Sequence, residues 1–487
     1  MKTSDIKAMM RYIGILLGAE GILMLLCLVP AIHFADGTTR QTFLSGGITL
    51  TSGLLMAILF RNHKTIQDRR CSYLLVVSIW IILAIFGTLP FILTDVSPSW
   101  TDAFFESISG LTSSGATIFQ DVESLPSSVL LWRSMSQWLG GFGIILIVLA
   151  LAPRLGINRH SLYTAEASGA DNTGKTASKM SQTIRKTLFV YIILTLLFIM
   201  LLIASDMSLF DAVNFTFTNI SSGGFSVYND SVASLTHQQQ WILAMAMFLS
   251  GVNFMMLYMI IIFKWKNVRH KLDQFLFYLA VIVFASIFVG FTLNLHSGFA
   301  WQDAARMGVF QTISVVTTTG SVIDDTTTWW VPISLLYLVL ACVGGMAGST
   351  TGGLKSMRVI ILLRNVRSIL NNHLHPHRVN PVRLNGKPVS EQLITNVLVI
   401  FTSFLMTIIA ALTIMLICGV DSTEAIGATI SCITSYGPGL GESGGFGNYG
   451  AFPTVAKWTC SALMLIGRLE CLTIYILLLP RFWRKGL

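Results

Sequence analysis

Charge is what this chain has least of. Only 11% of its 487 residues are Asp, Glu, Lys or Arg, and 53% are hydrophobic; a soluble globular protein carries about a quarter charged residues. The scarcity excludes an ordinary water-soluble protein. With a mean hydropathy of +0.70, it implies roughly ten membrane-crossing segments of about 20 residues each. Cysteine is sparse too. The seven are scattered, with no CxxC pair and no partner histidine spacing, so they read as small apolar fillers rather than a metal site or disulfide framework. No nucleophile–base pair or paired-carboxylate site stands out, and no enzymatic activity is expected.

Apolar runs fall near 12–32, 42–60, 72–94, 127–151, 187–205, 241–263, 275–295, 331–350, 392–418 and 455–480. The first follows Lys2, Lys7 and Arg11, as a signal peptide would. It is too long and lacks a small-residue cleavage site, so it reads as a retained helix. The net charge of +9 would fit a nucleic-acid binder, but its distribution does not. With Met1 in the cytoplasm, all of the 32 Lys and Arg fall on one side except Arg40, Arg133, Arg306, Lys457 and Arg468. The basic clusters lie at Arg61–Arg70, Arg154–Lys186, Lys264–Lys271, Lys355–Lys387 and Arg481–Lys485. This positive-inside pattern places both termini in the cytoplasm. The acids do the reverse, with Glu106, Asp121, Glu123, Asp211, Asp230, Asp324 and Asp325 among those outside. A negative outer mouth concentrates cations.

Four outer connections share a pattern: "ESISGLTSSGAT" (106–117), "FTFTNISSGGFS" (215–226), "QTISVVTTTGSV" (311–322) and "ATISCITSYGPG" (428–439). They align without gaps on Gly115, Gly224, Gly320 and Gly437. Three positions earlier stand Thr112, Ser221, Thr317 and Thr434; two earlier stand Ser113, Ser222, Thr318 and Ser435. The residue just before the glycine varies most, being Ser114, Gly223, Thr319 or Tyr436. One copy would pass as a Ser/Thr-rich loop, whereas four in register mark an internal repeat of helix, half-helix, re-entrant strand and helix. Irregular backbone at membrane depth survives only where protein buries it or water wets it. Four such segments around an axis can point carbonyls inward, glycine allowing the turn, and rings of carbonyls replace the hydration shell of K+. The half-helices would aim their partly negative C-terminal ends at the centre. Close helix packing, which also uses small residues in membranes, explains single glycines but not the four-fold register. Thr317 stands apart, because a hydroxyl at that position in every copy could coordinate the ion at the inner end of the ring.

These segments resemble those of the Trk, Ktr and HKT superfamily of potassium transporters, in particular its TrkH-type membrane subunits. The resemblance covers nearly the whole chain. It implies an all-α polytopic membrane protein with two leading helices and four helix–pore loop–helix repeats around a pseudo-four-fold pore. The units would be 1–70, then repeats at 71–155, 156–266, 267–370 (with a broken inner helix) and 371–487. It assigns the K+ selectivity filter to Thr112, Ser113, Ser114 and Gly115, to Ser221, Ser222, Gly223 and Gly224, to Thr317, Thr318, Thr319 and Gly320, and to Thr434, Ser435, Tyr436 and Gly437. Members with serine at the first filter glycine tend to favour Na+, so Gly115 implies K+. Tyr436 departs from the smaller residue expected at its place.

The glycine-rich "GGMAGSTTGGLKS" (344–356) cannot continue a helix, since each glycine costs about 1 kcal/mol relative to alanine. It is similar to the family's intramembrane loop, which lies below the filter and occludes the pore. The gate residues so implied are Gly345, Gly348, Ser349, Thr350, Thr351, Gly352, Gly353 and Lys355, together with Arg468 in the last inner helix. A lone charge at membrane depth needs a partner, and Glu470, two residues on, is off the same helical face. The loop's polar groups are therefore the expected partner of Arg468. The resemblance further implies K+ as the transported ion, with no organic cofactor, a homodimer, a cytoplasmic TrkA-type nucleotide-binding regulatory subunit, and a bacterial inner membrane. The rival readings are a Na+- or H+-coupled potassium transporter, whose sites lie at inverted repeats, and a membrane enzyme or receptor. The four copies all enter from one side, which favours a channel.

Three motifs carry less. "GSTTGGLKS" nearly spells a P-loop, but Leu354 intervenes between the second glycine and Lys355, and no strand precedes it. "HLHPHR" (373–378) alternates three histidines without a carboxylate or cysteine. "VRLNGKPV" (382–389) places Asn385-Gly386 between apolar residues, a type I′ hairpin signal and either a docking point for a regulatory partner or a plain connector.

Overall fold

Backbone groups in lipid must bond within their own segment, so long apolar runs become helices. The computed structural model describes residues 3–63, 66, 68–97, 99–151, 176–264, 272–375 and 381–484, with backbone alone at 144–151 and 176–181. Most of the 154–186 and 264–271 basic clusters, and His377, lie outside the described residues. A leading unit comprises α1 (Thr3–Leu26), α2 (Leu28–His33) and α3 (Thr39–Leu59). α1 and α3 meet backbone to backbone: a methyl at Gly14 would sit 2.7 Å from the Gly53 carbonyl oxygen. Small residues permit such close seams in membranes.

Four repeats follow. The first holds α4 (Arg69–Gly87), α5 (Leu89–Leu93), α6 (Trp100–Leu111) and α7 (Ser127–Leu151). The second holds α8 (Thr176–Ile203), α9 (Leu209–Ile220), α10 (His237–Ser250) and α11 (Phe254–Ile261). The third holds α12 (Leu272–Ser297), α13 (Trp301–Val316), α14 (Val331–Val343) and α15 (Ser356–Leu374). Strands β1 (Arg383–Leu384) and β2 (Lys387–Pro388) connect it to the fourth, which holds α16 (Glu391–Ile417), α17 (Ser422–Thr434), α18 (Thr454–Arg468), α19 (Leu472–Leu478) and α20 (Pro480–Trp483). Asn385 and Gly386 both have positive φ, 50° and 77°, the type I′ turn expected of that pair.

Helices α6, α9, α13 and α17 have 12, 12, 16 and 13 residues, about half a bilayer at 1.5 Å per residue. Side chains fix where three of them start. Ser99 accepts the Asp102 N–H, Ser208 that of Asp211 and Asp421 that of Thr423, each satisfying an otherwise orphaned donor. Every short helix lies between the outer and inner helices of its own repeat and also touches the inner helix of the repeat before it. α9 meets α7, α13 meets α10, α17 meets α14, and α6 meets α18. The last of these contacts closes the circle.

Two helices differ from expectation. The run at 331–350 breaks after Val343, as its glycines foretold, but those at 241–263 and 455–480 read as continuous. The structure bends them by 106° between Ser250 and Phe254 and by 114° between Arg468 and Leu472. The first break is stabilised by Asn253, whose side chain accepts the Met256 N–H at 3.0 Å and donates to the Ala347 carbonyl at 2.5 Å. At the second, Glu470 adopts φ 56°, and its carboxylate lies 2.6 Å from Arg358. Among the described residues, three of the four inner helices are thus unwound, all toward the same end of the short helices.

Candidate functional site: a four-segment ring and the loop beneath it

Each short helix ends in the same way. Ser113, Ser222, Thr318 and Ser435 have φ of 52°, 56°, 52° and 56°. Their N–H groups bond back three residues, to Gly110, Asn219, Val315 and Cys432. The next N–H in each copy bonds back five, to Ser109, Thr218, Ser314 and Ser431, at 2.8, 2.8, 2.8 and 3.0 Å. These paired bonds are a Schellman ending, in which a left-handed residue satisfies the last carbonyls of a helix. Glycine, with no Cβ, normally takes that place; here a serine or threonine does so four times, strain of about 1–2 kcal/mol per copy. Two residues on, Gly115, Gly224, Gly320 and Gly437 turn left-handed again, at φ 81°, 73°, 81° and 101°. The sequence pointed to the glycines as the special backbone positions, and it missed the hydroxyl residues two before them.

The four segments close on one another. A methyl at Gly115 would overlap the carbonyl oxygen of Gly223, one at Gly224 that of Thr319, and one at Gly320 that of Tyr436. A methyl at Gly437 would lie 2.7 Å from the carbonyl oxygen of Ser114. Each glycine therefore abuts the carbonyl just before the glycine of the next repeat, in the order one, two, three, four, one. The ring is also narrow: a methyl at Gly115 would come within 3.8 Å of the Thr319 oxygen in the repeat opposite. Tyr436 keeps its carbonyl in register because its side chain turns outward, where Gln311 Nε2 donates to its hydroxyl at 3.4 Å.

Below that level, the hydroxyls of Thr112, Thr317 and Thr434 donate to carbonyls four residues back at 2.7 Å, and Ser221 Oγ donates to Thr218 at 3.1 Å. Their protons are directed into the helices, which leaves oxygen lone pairs for a cation.

Above the glycines opens a funnel with about 70 Å3 of room for water, lined by Gly115, Gly224, Gly320 and Gly437 and by aromatic rings including Phe119 and Tyr449. Carboxylates stand just behind its lining, where Asn229 donates to Asp121 at 2.9 Å and to Glu123 at 3.0 Å. Burial, helped by the carboxylates of Asp211, Glu123 and Asp230, pushes the Tyr228 phenol up to about 12. Glu106, expected in the outer mouth, is instead fully buried behind the first segment and paired with Arg133 at 2.8 Å. Glu106 also accepts the Ile118 N–H at 3.0 Å, while Arg133 donates to the Ser226 carbonyl at 2.9 Å and lies 4.2 Å from the Phe225 ring centre. Gln311 stands at the same offset from its glycine and accepts the Ile323 N–H at 3.3 Å. Lys457 and Arg306, two more exceptions to the charge bias, pair with Asp102 at 2.5 Å and Asp303 at 3.0 Å.

The 344–355 loop lies against the opposite face of the ring. Gly352 N–H donates to Thr318 Oγ1 at 2.7 Å, and Gly353 N–H to the Thr434 carbonyl at 3.0 Å. Thr350 Oγ1 donates to the Ile220 carbonyl at 3.1 Å. Ser349 bonds the Met346 carbonyl at 2.6 Å and the Thr351 hydroxyl at 2.8 Å, and Lys355 folds back onto the carbonyls of Thr351 and Ser349. The unwound stretch of the second repeat clasps the loop: Met346 N–H donates to Gly251 at 2.9 Å, and Phe254 N–H donates to Gly348 at 3.1 Å. Gly345 packs against Gly251, its hypothetical methyl 2.9 Å from that carbonyl oxygen. Arg468 donates to the Thr350 carbonyl at 2.8 Å, to Ser113 Oγ at 3.3 Å and to the Gly140 carbonyl at 3.3 Å. The loop is among its partners, as expected; Ser113 of the ring and Gly140 of α7 were not foreseen, and Glu470 pairs with Arg358.

All sixteen ring positions and the loop residues named from sequence thus come together around one axis. Glu106, Arg133, Asn253, Gln137 and Gln311 were not singled out as supports. Glu106 and Gln311 share an offset from the glycine, the signal that could have found them. Among the described residues no group of three His, Cys, Asp or Glu could hold a metal ion.

Residues 38–485 match the TrkH family model, described as cation transport protein. The chain is 32% identical to the Trk system potassium uptake protein TrkH of Salmonella typhimurium, over 98% of this chain and 99% of that one. It is 30% identical to the TrkH of Halomonas elongata, over 99% and 100%. The crystal structure of the potassium transporter TrkH from Vibrio parahaemolyticus superimposes with a TM-score of 0.89 at 28% identity, covering 98% of this chain and 100% of that one.

Proposed function

The chain belongs to the TrkH family of cation transport proteins; we propose that it takes up K+ through a carbonyl-lined filter formed by the four-segment ring. It is a multi-pass potassium transporter and not an enzyme. The observation that carries the filter reading is the cyclic abutment of each ring glycine on the next repeat's carbonyl. K+ enters the funnel, where the carboxylates behind its lining raise the local K+ concentration. It loses water against the carbonyls of Ser114, Gly223, Thr319 and Tyr436, which replace its hydration shell. The hydroxyl oxygens of Thr112, Ser221, Thr317 and Thr434 receive it next, where the C-terminal ends of the short helices favour a cation.

The 344–355 loop, fastened by Arg468, is the gate. In this reading the chain divides into the leading unit and four repeats given above, and it works as a homodimer in a bacterial inner membrane with both termini cytoplasmic. A TrkA-type regulatory subunit acts on the gate from the face that carries the Asn385-Gly386 hairpin. Flux into liposomes tests the scheme. Gly115→Ser is expected to lower the K+/Na+ flux ratio, and deletion of 346–352 to raise K+ flux. An unchanged ratio sinks the filter assignment, and an unchanged flux sinks the gate.

A further inference from the structure

We propose that Gln137, buried on α7, is a positioning residue that sets ion selectivity by clamping the second ring segment; this rests on the filter reading. Its Nε2 donates to the Gly223 carbonyl at 2.9 Å, and its Oε1 accepts the Phe225 N–H at 3.1 Å. One amide therefore holds the backbone on both sides of Gly224. Only this orientation satisfies both bonds, because the carbonyl needs a donor and the N–H an acceptor. The carbonyl it grips is a member of the ring, the one that a methyl at Gly115 would overlap.

Sequence and space explain why the clamp exists in this quadrant. The position before the ring glycine carries a side chain in three repeats, as Ser114, Thr319 and Tyr436, but is Gly223 in the second. A methyl there would lie 2.5 Å from Gln137 Oε1 and 2.7 Å from Nε2, so the missing side chain is what makes room for the amide. Two successive glycines would also leave this segment the most pliable of the four. The matching places of the second and fourth inner helices carry no amide. Gly141 and Gly251 occupy matching places, each packed on the following segment at Ser221 and Thr317, and Arg468 reaches Ser113 in the same way. Four residues before them stand Gln137, Met247 and Met464. Where the inner helices of the second and fourth repeats present a thioether, α7 presents an amide. Carbonyl filters discriminate by the number and placement of their oxygens, and a released Gly223 carbonyl could follow a smaller ion.

The test is the K+/Na+ flux ratio in liposomes at equal reconstitution, for Gln137→Leu beside Gly320→Ala, a ring glycine remote from Gln137. Losing the clamp is expected to lower the ratio about fivefold or more, the equivalent of one net hydrogen bond. If Gly320→Ala lowers the ratio and Gln137→Leu leaves it within about twofold, the clamp is refuted and the filter stands. If neither moves it, both readings fall. Should Gln137→Leu not yield folded protein, Gly223→Ala decides. It is expected to lower the ratio alone, by displacing the amide, and to leave it low when combined with Gln137→Ala, which vacates the space without restoring the clamp. Recovery of selectivity in the pair overturns the proposal.

Discussion

On the proposed reading, Arg468 is the place where gate and filter can be separated by one substitution. Its guanidinium holds the loop through the Thr350 carbonyl at 2.8 Å and faces the first ring segment through Ser113 Oγ at 3.3 Å. The residue is 5% exposed, so water does little to weaken these bonds. A hydrogen bond to a charged group contributes about 1.5–3 kcal/mol, and the two longer contacts less. Arg468→Met, similar in length and apolar, should therefore shift the loop toward its displaced position by about 2 kcal/mol, roughly a 30-fold change in equilibrium. Basal K+ flux into liposomes, without any partner protein, is expected to rise by up to that factor. Arg468→Lys should lie between, since a single ammonium cannot span loop and ring as a planar fork does. The decisive arm combines Arg468→Met with deletion of 346–352. If the arginine acts through the loop, its effect vanishes once the loop is gone. Folded Arg468→Met with unchanged flux, or effects that simply multiply in the combination, would refute the reasoning.

Two further outcomes follow from the Glu106–Arg133 pair beside the ring and from Asp36 in the leading unit. Glu106→Gln leaves Arg133 buried opposite a neutral amide; breaking a buried pair from one side costs about 3–5 kcal/mol, so thermal stability in detergent should fall, and Glu106→Gln with Arg133→Met should recover part of it. Asp36 joins the starts of α3 and α7, accepting from Thr38 N–H at 3.0 Å, Thr38 Oγ1 at 2.7 Å and Ser128 N–H at 3.0 Å. Burial opposes its ionisation, but those bonds outweigh it and hold the carboxyl below its ordinary 3.8. A depressed carboxylate stabilises the fold above its unfolded value and loses that contribution as pH falls through the folded one. Melting temperature should thus begin to drop as pH passes below 3.8, and Asp36→Asn should flatten that limb; an identical acid limb in the variant would remove Asp36 from the account.

What the sequence disclosed and what it hid divide along a physical line. The ring was legible because Gly115, Gly224, Gly320 and Gly437 recur in register and backbone conformation is a local property. The break in the third inner helix was legible for the same reason, through its clustered glycines. The breaks at 250–254 and 468–472 were not. Each carries at most one glycine in its bend, and each is held open by residues distant in sequence: Ala347 for Asn253, Arg358 for Glu470. Glu106 was counted with the outer acids because charge bias records which side a residue occupies, not whether it faces water. Only packing reveals that its partner is Arg133.

The three breaks also explain one another. Unwound backbone within a bilayer is tolerable only when its polar groups find partners or water. Here the partners are other unwound stretches. The loop's Met346 and Thr350 N–H groups take the carbonyls of Gly251 and Ser250, Phe254 N–H takes Gly348, and Arg468 takes Thr350. Lifting the loop away from the ring orphans donors and acceptors on all three stretches at once. An unmet buried polar group costs about 1–3 kcal/mol, so the displaced state is tenable only if water enters the space the loop leaves. Opening and wetting are then one event. In the proposed scheme, the path that lets K+ rehydrate below the ring is filled by the same water that replaces the loop's hydrogen bonds.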